Sequence, residues 1–421
     1  MLEKGKNAAL ALLFALMIFL LYISLTIGPA EGSGGFLSQV LGGTPPGDDA
    51  DLSPQMAVEV RKIAVCTPTG VYLPQNGEQK EELQTAVSSI YAEALGSAGE
   101  VREITRQEYY DALSFPALYL AFDTGVPLEL LMRWVGVEGE GQDATLHSLV
   151  VTSGGERVTV AYYDAATGTY CAADTAAGVD RLTQVCSSWE GGSALFAFQD
   201  GDFAALCGDE PVHTQALTAV CYNVLPPDYL SSGSLPREVL TGFGYNPFLA
   251  RVYDDASGDL VYVEENNVLR MSAQGDLTYT AGGQGIYLGL REQESGDAAL
   301  VLEGVRRLLV YLCEQTGAGG QYSLREMIEE ESGAVQLIFD LFLDGCPVNG
   351  DTPAAHATVQ DGRITYLRLS PRKYEAAGER GLLTVRQAAA ALQGGHNLRL
   401  DVRYSEKSDG TLLPALYSTE D

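Results

Sequence analysis

The sequence predicts an α+β protein: one N-terminal transmembrane helix followed by extracytoplasmic two-layer units, each an antiparallel sheet with helices packed on one face. Three observations carry this. Residues 8–27, AALALLFALMIFLLYISLTI, form an uncharged apolar run. Much of the rest alternates short apolar strands with turns of Gly, Asn and Asp. Between those strands lie segments whose apolar residues recur every three or four positions, the period of a helix.

At about 1.5 Å per residue the run from Ala8 to Ile27 reaches roughly the 30 Å of a hydrocarbon core. A signal-peptide core is shorter, about 7–15 residues, so a retained anchor is preferred to cleavage near Gly28-Pro29-Ala30. Lys4 and Lys6 place residues 1–27 with a cytoplasmic N-terminus in the cell membrane, single-pass, and put the bulk outside. Ala8, Ala11 and Ala15 fall on one face of this helix and would permit close packing against another helix; a generic lipid-facing helix is the alternative.

Residues 28–57 are rich in Gly, Pro and acid and read as a flexible linker. An N-terminal α/β unit follows over 58–143. It has a strand near Ile63–Val65 and a helix over Gln79–Leu95 in which Leu83, Val87, Ile90 and Ala94 share a face, ended by Gly96. A buried strand, ALYLAF (Ala117–Phe122), comes next, then a helix opened by Pro127.

A central α+β unit is expected over 144–235. Strands at Leu149–Val151 and Val158–Tyr163 flank Gly154-Gly155, a helix carries Val179, Leu182, Val185, Cys186 and Trp189, and ALFAF (Ala194–Phe198) is a strand.

Over 236–317, LVYV, VLRM and LTYT are separated by turn residues and form a β-meander. Asp297 caps a helix in which Val301, Val305, Leu308 and Leu312 recur, with Gly317 beyond its end; helix on sheet gives a two-layer core. The last unit, 318–421, repeats this: an alternating strand over Val335–Leu343, two strands around Asp361-Gly362, a helix near Leu382–Leu392 behind Thr384, and a closing strand at Leu398–Tyr404.

The formal charge of −30 repels phosphate backbones, which excludes nucleic acid as a partner. Seven scattered cysteines without C-x-x-C read as small buried residues, and no structural disulfide framework is expected. His147, His213, His356 and His396 are too far apart for a metal pair on one helix turn, and no Walker A loop, dinucleotide fingerprint or G-x-S-x-G elbow occurs. No catalytic residue, metal or cofactor is therefore assigned. Ser370-Pro371-Arg372-Lys373 matches S-x-x-K, the penicillin-recognising signature, but its companions K-T-G and S-D-N are missing, so a serine enzyme acting through Ser370 and Lys373 stands only as a weak alternative.

GYNP at 244–247, the run LVYVEENNVLRMSAQGDLTYTA, FDLFLDGCPV at 339–348, LLTVRQAAAAL and the end LRLDVRYSEKSDGTLLPALY together resemble the YycH/YycI family. These are membrane-anchored regulators of the YycG (WalK-type) sensor kinase of low-GC Gram-positive bacteria. The additional unit at 58–143 makes the chain more similar to YycH, and the C-terminal strand, turn, strand and Ala-rich helix look PepSY-like. The resemblance implies a non-enzymatic regulator of a two-component system controlling cell-wall metabolism, whose partners are the sensor histidine kinase and a sister YycI/YycH-type protein. An extracytoplasmic scaffold or cell-envelope-binding protein is the rival reading.

Overall fold

The computed structural model describes residues 56–137, 144–290, 294, 296–392 and 395–420. The run read as a membrane helix, with Ala8, Ala11 and Ala15, lies outside the described residues, as does nearly all of the linker. Among the described residues no helix is long and apolar enough to cross a membrane.

A first sheet contains β1 (Val60–Thr67), β2 (Gly70–Tyr72), β3 (Arg102–Ile104), β4 (Ala117–Pro127), β5 (Thr145–Ser153), β6 (Val158–Asp164), β7 (Thr169–Thr175), β8 (Ala194–Phe196) and β9 (Pro211–His213). Its order is β3-β7-β6-β5-β4-β1-β2-β8-β9, with antiparallel pairings. Because β4 pairs with β5, the boundary expected at 143/144 falls inside one continuous ladder.

Four helices accompany it: α1 (Gly77–Gly96), α2 (Arg106–Ala112), α3 (Leu128–Trp134) and α4 (Val179–Ser187). The Asn76 side chain caps α1 by accepting from the Gln79 N–H, and Leu83, Val87, Ile90 and Ala94 are all buried. Leu182 and Cys186 of α4 join the same core. The opposite face is covered too: Tyr109 of α2 and Leu113 pack on Ala64, Cys66, Tyr119 and Val150. The sheet is therefore sandwiched between helices, a correction to the one-sided layer expected. The reason is visible in IAVC and ALYLAF, continuous apolar runs in which successive residues point to opposite faces and both must be buried.

ALFAF is also shorter as a strand than expected. After Phe196 the chain turns into a 3-10 helix at Ala197–Gln199, where the Gln199 side chain accepts from the Phe196 N–H.

The second half holds β10 (Thr218–Leu225), β11 (Arg251–Asp254), β12 (Leu260–Glu264), β13 (Asn267–Met271), β14 (Leu277–Thr280), β15 (Ile286–Tyr287), β16 (Gln321–Glu329) and β17 (Val335–Leu343). It continues through β18 (Cys346–Asn349), β19 (Ala355–Gln360), β20 (Arg363–Leu369), β21 (Lys373–Gly381), β22 (Leu398–Glu406) and β23 (Thr411–Glu420). These run β11-β12-β13-β14-β20-β19-β17-β18-β22-β23-β10-β21, with β15 on β20 and β16 on β17. The pairing of β18 with β22 is parallel and the others are antiparallel. Since β14 pairs with β20, the meander and the last unit share one sheet across the boundary expected at 317/318.

The helices here are α5 (Tyr229–Ser232), α6 (Arg237–Gly242), α7 (Ala298–Thr316) and α8 (Val385–Ala391). Asp297 accepts from the N–H groups of Ala299 and Leu300 and so caps α7 as its sequence implies; Val301, Val305, Leu308 and Leu312 are buried. Gly317 ends the helix at φ 65°, a left-handed conformation that a glycine adopts without a Cβ clash. Asp361 and Gly362 both have positive φ, 51° and 69°, the geometry of a tight two-residue hairpin between β19 and β20.

The strand expected to close the chain at Leu398–Tyr404 is followed by a further one: Leu413-Pro414 lies within β23, which pairs with β22 from Leu398↔Glu420 to Glu406↔Leu412. Proline is tolerated there because β10 reaches only Thr411 and Leu412, leaving no ladder bond for Pro414 to donate on its other side.

Candidate functional site

Ser370 and Lys373 do not form the helical turn that a penicillin-recognising site requires. The Ser370 N–H donates to the Ala354 carbonyl at 3.0 Å, residues 370–372 are non-helical, and Lys373 is the first residue of β21. Arg372 pairs with Asp276 and Lys373 with Asp228, each at 2.9 Å. An ammonium held by a carboxylate, with no helix to bring it to the serine, is no base for that hydroxyl. This overturns the serine-enzyme alternative.

The histidines lie on separate elements: His147 on β5, His213 on β9, His356 on β19 and His396 before β22. Among the described residues no three potential metal ligands converge. None of the seven cysteines is in a disulfide.

The polar feature that stands out is a buried charge cluster between the first sheet and β22. Arg61 of β1 donates to Glu210 at 2.7 and 2.9 Å and to Asp401 of β22 at 2.9 Å. Its neighbour Lys62 contacts Glu210 and donates to the Leu400 carbonyl at 2.8 Å. Arg403 completes the set through Asp123 of β4 at 2.9 Å. Arg61 and Glu210 are only 4% and 1% exposed, so water contributes little and each charge depends on its partners.

Burial pushes the Glu210 carboxyl up, yet Arg61 and Lys62 outweigh it and hold it down at about 2. His213 nearby is pushed down to about 4 by burial and by Lys62, and is neutral at neutral pH.

The cleft beside the cluster is lined by Lys62, His213, Asp344, Cys346, Leu400 and Val402, among others. Burial pushes the Cys346 thiol up to about 11, which keeps it protonated and a poor nucleophile. Three cations and three carboxylates thus neutralise one another, and what they do is join distant parts of the chain. Close by, the Leu324 N–H donates to the Ala57 carbonyl at 2.7 Å and Lys80 pairs with Glu59 at 2.7 Å. The chain is therefore clamped to β16 where it leaves the linker.

Sequence reasoning missed this cluster. Its members span residues 61–403, and the one local signal is the charge run Arg399, Asp401, Arg403 alternating with Leu398, Leu400 and Val402. Such alternation also describes a solvent-facing strand.

No family model matches the sequence, and no curated protein matches it. The architecture nevertheless has a solved counterpart, and it defines a class: a YycH-type α+β fold that runs through nearly the whole chain. The particular structure is the crystal structure of YycH from Bacillus subtilis, with a TM-score of 0.54 and 11% sequence identity, covering 89% of this chain and 96% of that one. This is the fold implied by the resemblance in GYNP, FDLFLDGCPV and LRLDVRY.

Proposed function

We propose that the protein is a non-enzymatic, membrane-anchored extracytoplasmic regulator of the YycH/YycI family, acting on a YycG-type sensor histidine kinase. The observation that carries this reading is the YycH fold over 89% of the chain. The apolar run at 8–27 and the formal charge of −30 are consistent with an anchored protein whose partner is not nucleic acid. A regulator of this kind shifts its target between two states by binding one more tightly than the other.

Crosslinking the full-length protein in its native membrane, followed by mass spectrometry, tests it. Recovery of a sensor kinase supports the proposal; recovery of wall-synthesis enzymes or polymer without a kinase replaces it with the scaffold reading. Exchanging residues 8–27 for an unrelated spanning helix is expected to lower kinase recovery, and unchanged recovery removes the membrane contact.

A further inference from the structure

We propose that the outer edge of β11 is a docking site for an extended, basic segment of a partner protein, which adds to the second sheet as a further strand. Among the described residues β11 ends the strand order and pairs only with β12, so one row of its backbone donors and acceptors faces outward. Such a row recognises an extended peptide through its backbone, while exposed side chains select the sequence.

The edge is apolar as well as open. Val252 and Tyr253 are 53% and 51% exposed, and Phe248 and Leu249 just before them are 65% and 67% exposed. Four of the eleven most exposed large apolar side chains among the described residues thus fall within six consecutive positions. Because neighbours on a strand point to opposite faces, Val252 and Tyr253 offer contact on both sides of an incoming strand.

Four other edges carry charges or proline that disfavour strand addition, and β15, with Ile286 and Tyr287 alone, is too short to template one. β3 carries Arg102 and Glu103, and β9 begins with Pro211. β16 and β21 are studded with charges, including Arg325, Glu326, Glu375 and Glu379. On β11 the central pair is uncharged.

The approach to β11 is also held in place, which lowers the ordering cost of binding. Asn246 accepts from the Phe248 N–H at 3.0 Å, the Asn246 N–H donates to Glu264 at 2.6 Å, and the Arg237 guanidinium lies 5.1 Å from the centre of the Phe248 ring.

Charge selects the occupant. Residues 237–270 hold six acidic side chains against three arginines, within a chain of formal charge −30. A second copy brings the same negative charge and is repelled, whereas a segment alternating apolar and basic residues is attracted. This site does not depend on the kinase reading, since an edge strand recognises backbone and charge whichever protein supplies them.

The test uses the full chain in nanodiscs of neutral lipid and a synthetic peptide alternating valine and lysine, followed by hydrogen exchange and fluorescence anisotropy. Slower exchange at residues 251–254 on adding peptide is expected, with affinity falling as salt rises. The exposed-site variant V252K/Y253K is expected to weaken binding at least about tenfold, equivalent to about 1.4 kcal/mol. Leu383→Lys, at another exposed apolar position, is expected to leave it unchanged. Equal binding by V252K/Y253K, no protection at 251–254, or equal binding of a valine–glutamate peptide overturns the proposal. Concentration-dependent protection without peptide assigns the edge to a second copy, and protection by added neutral lipid vesicles alone assigns it to a membrane; either also overturns it.

Discussion

Arg133, in the last turn of α3, donates to both carboxylate oxygens of Asp297, at 2.5 and 2.6 Å, while Asp297 also caps the first turn of α7. One side chain therefore caps the start of a helix of the second half and binds a helix of the first. Burial raises the Asp297 carboxyl, but Arg133 and the N–H groups of Leu300 and Ala299 lower it further, leaving it below the usual range.

Asp297→Ala removes cap and bridge together and is expected to cost about 1–2 kcal/mol in urea denaturation. Asp297→Asn keeps a capping oxygen and loses only a partly exposed ion pair, so its cost is expected below about 1 kcal/mol. Equal losses in the two variants would show that the cap contributes nothing.

Glu210→Gln leaves Arg61 and Lys62 beside a neutral group in a dry setting. A loss of about 3–5 kcal/mol is expected, far above that of a surface substitution. Replacing Arg61, Lys62, Glu210 and Asp401 together with apolar residues of similar size, which leaves Arg403 on Asp123, is expected to recover part of it. The urea midpoints of the two variants decide the matter, and a Glu210→Gln midpoint equal to that of the parent refutes the role given to the cluster.

Acid is expected to act in two stages. The His213 pKa is pushed down from 6.5 to about 4 on folding, so the unfolded chain takes up the proton first and stability falls as pH drops from 6.5 to 4. The full loss from this group is about 3 kcal/mol, each pKa unit being worth about 1.4 kcal/mol. Glu210 is held at about 2 against an ordinary 4.5, so its contribution is present above pH 4.5 and lost as pH falls from there toward 2. Denaturation midpoints of His213→Gln are expected to fall less than those of the parent between pH 6.5 and 4.5, where His356, also held below 6.5, still contributes, and to fall alongside them below pH 4.5. A parent whose stability is the same at pH 7 and pH 4 would contradict the assignment.

A fluorescent penicillin is expected to leave the full chain unlabelled, because Lys373 is committed to Asp228 and residues 370–372 are not helical. Labelling of the parent that disappears in Ser370→Ala would reverse this.

How much of the protein was legible from its sequence follows from the range of the forces involved. Asp297 before Val301, Val305, Leu308 and Leu312, and Asp361-Gly362 between two alternating runs, specify a capped helix and a hairpin through contacts a few residues long. Those elements could be read directly. The covering of both faces by α1, α4 and α2 was written in the unbroken apolar runs IAVC and ALYLAF, though a one-sided layer was expected.

Tertiary structure alone decided what lies next to what. Arg399, Asp401 and Arg403 define a polar face of β22 in sequence; the fold brings Arg61 and Glu210 to that face instead of water. The same holds for the ladders that join β4 to β5 and β14 to β20, and for β11, whose open edge exists only because the sheet ends there. Local periodicity sets which way a side chain points, because backbone geometry repeats over two or 3.6 residues. What meets that side chain depends on segments hundreds of positions away, and their pairing is chosen by burial and charge balance over the whole chain.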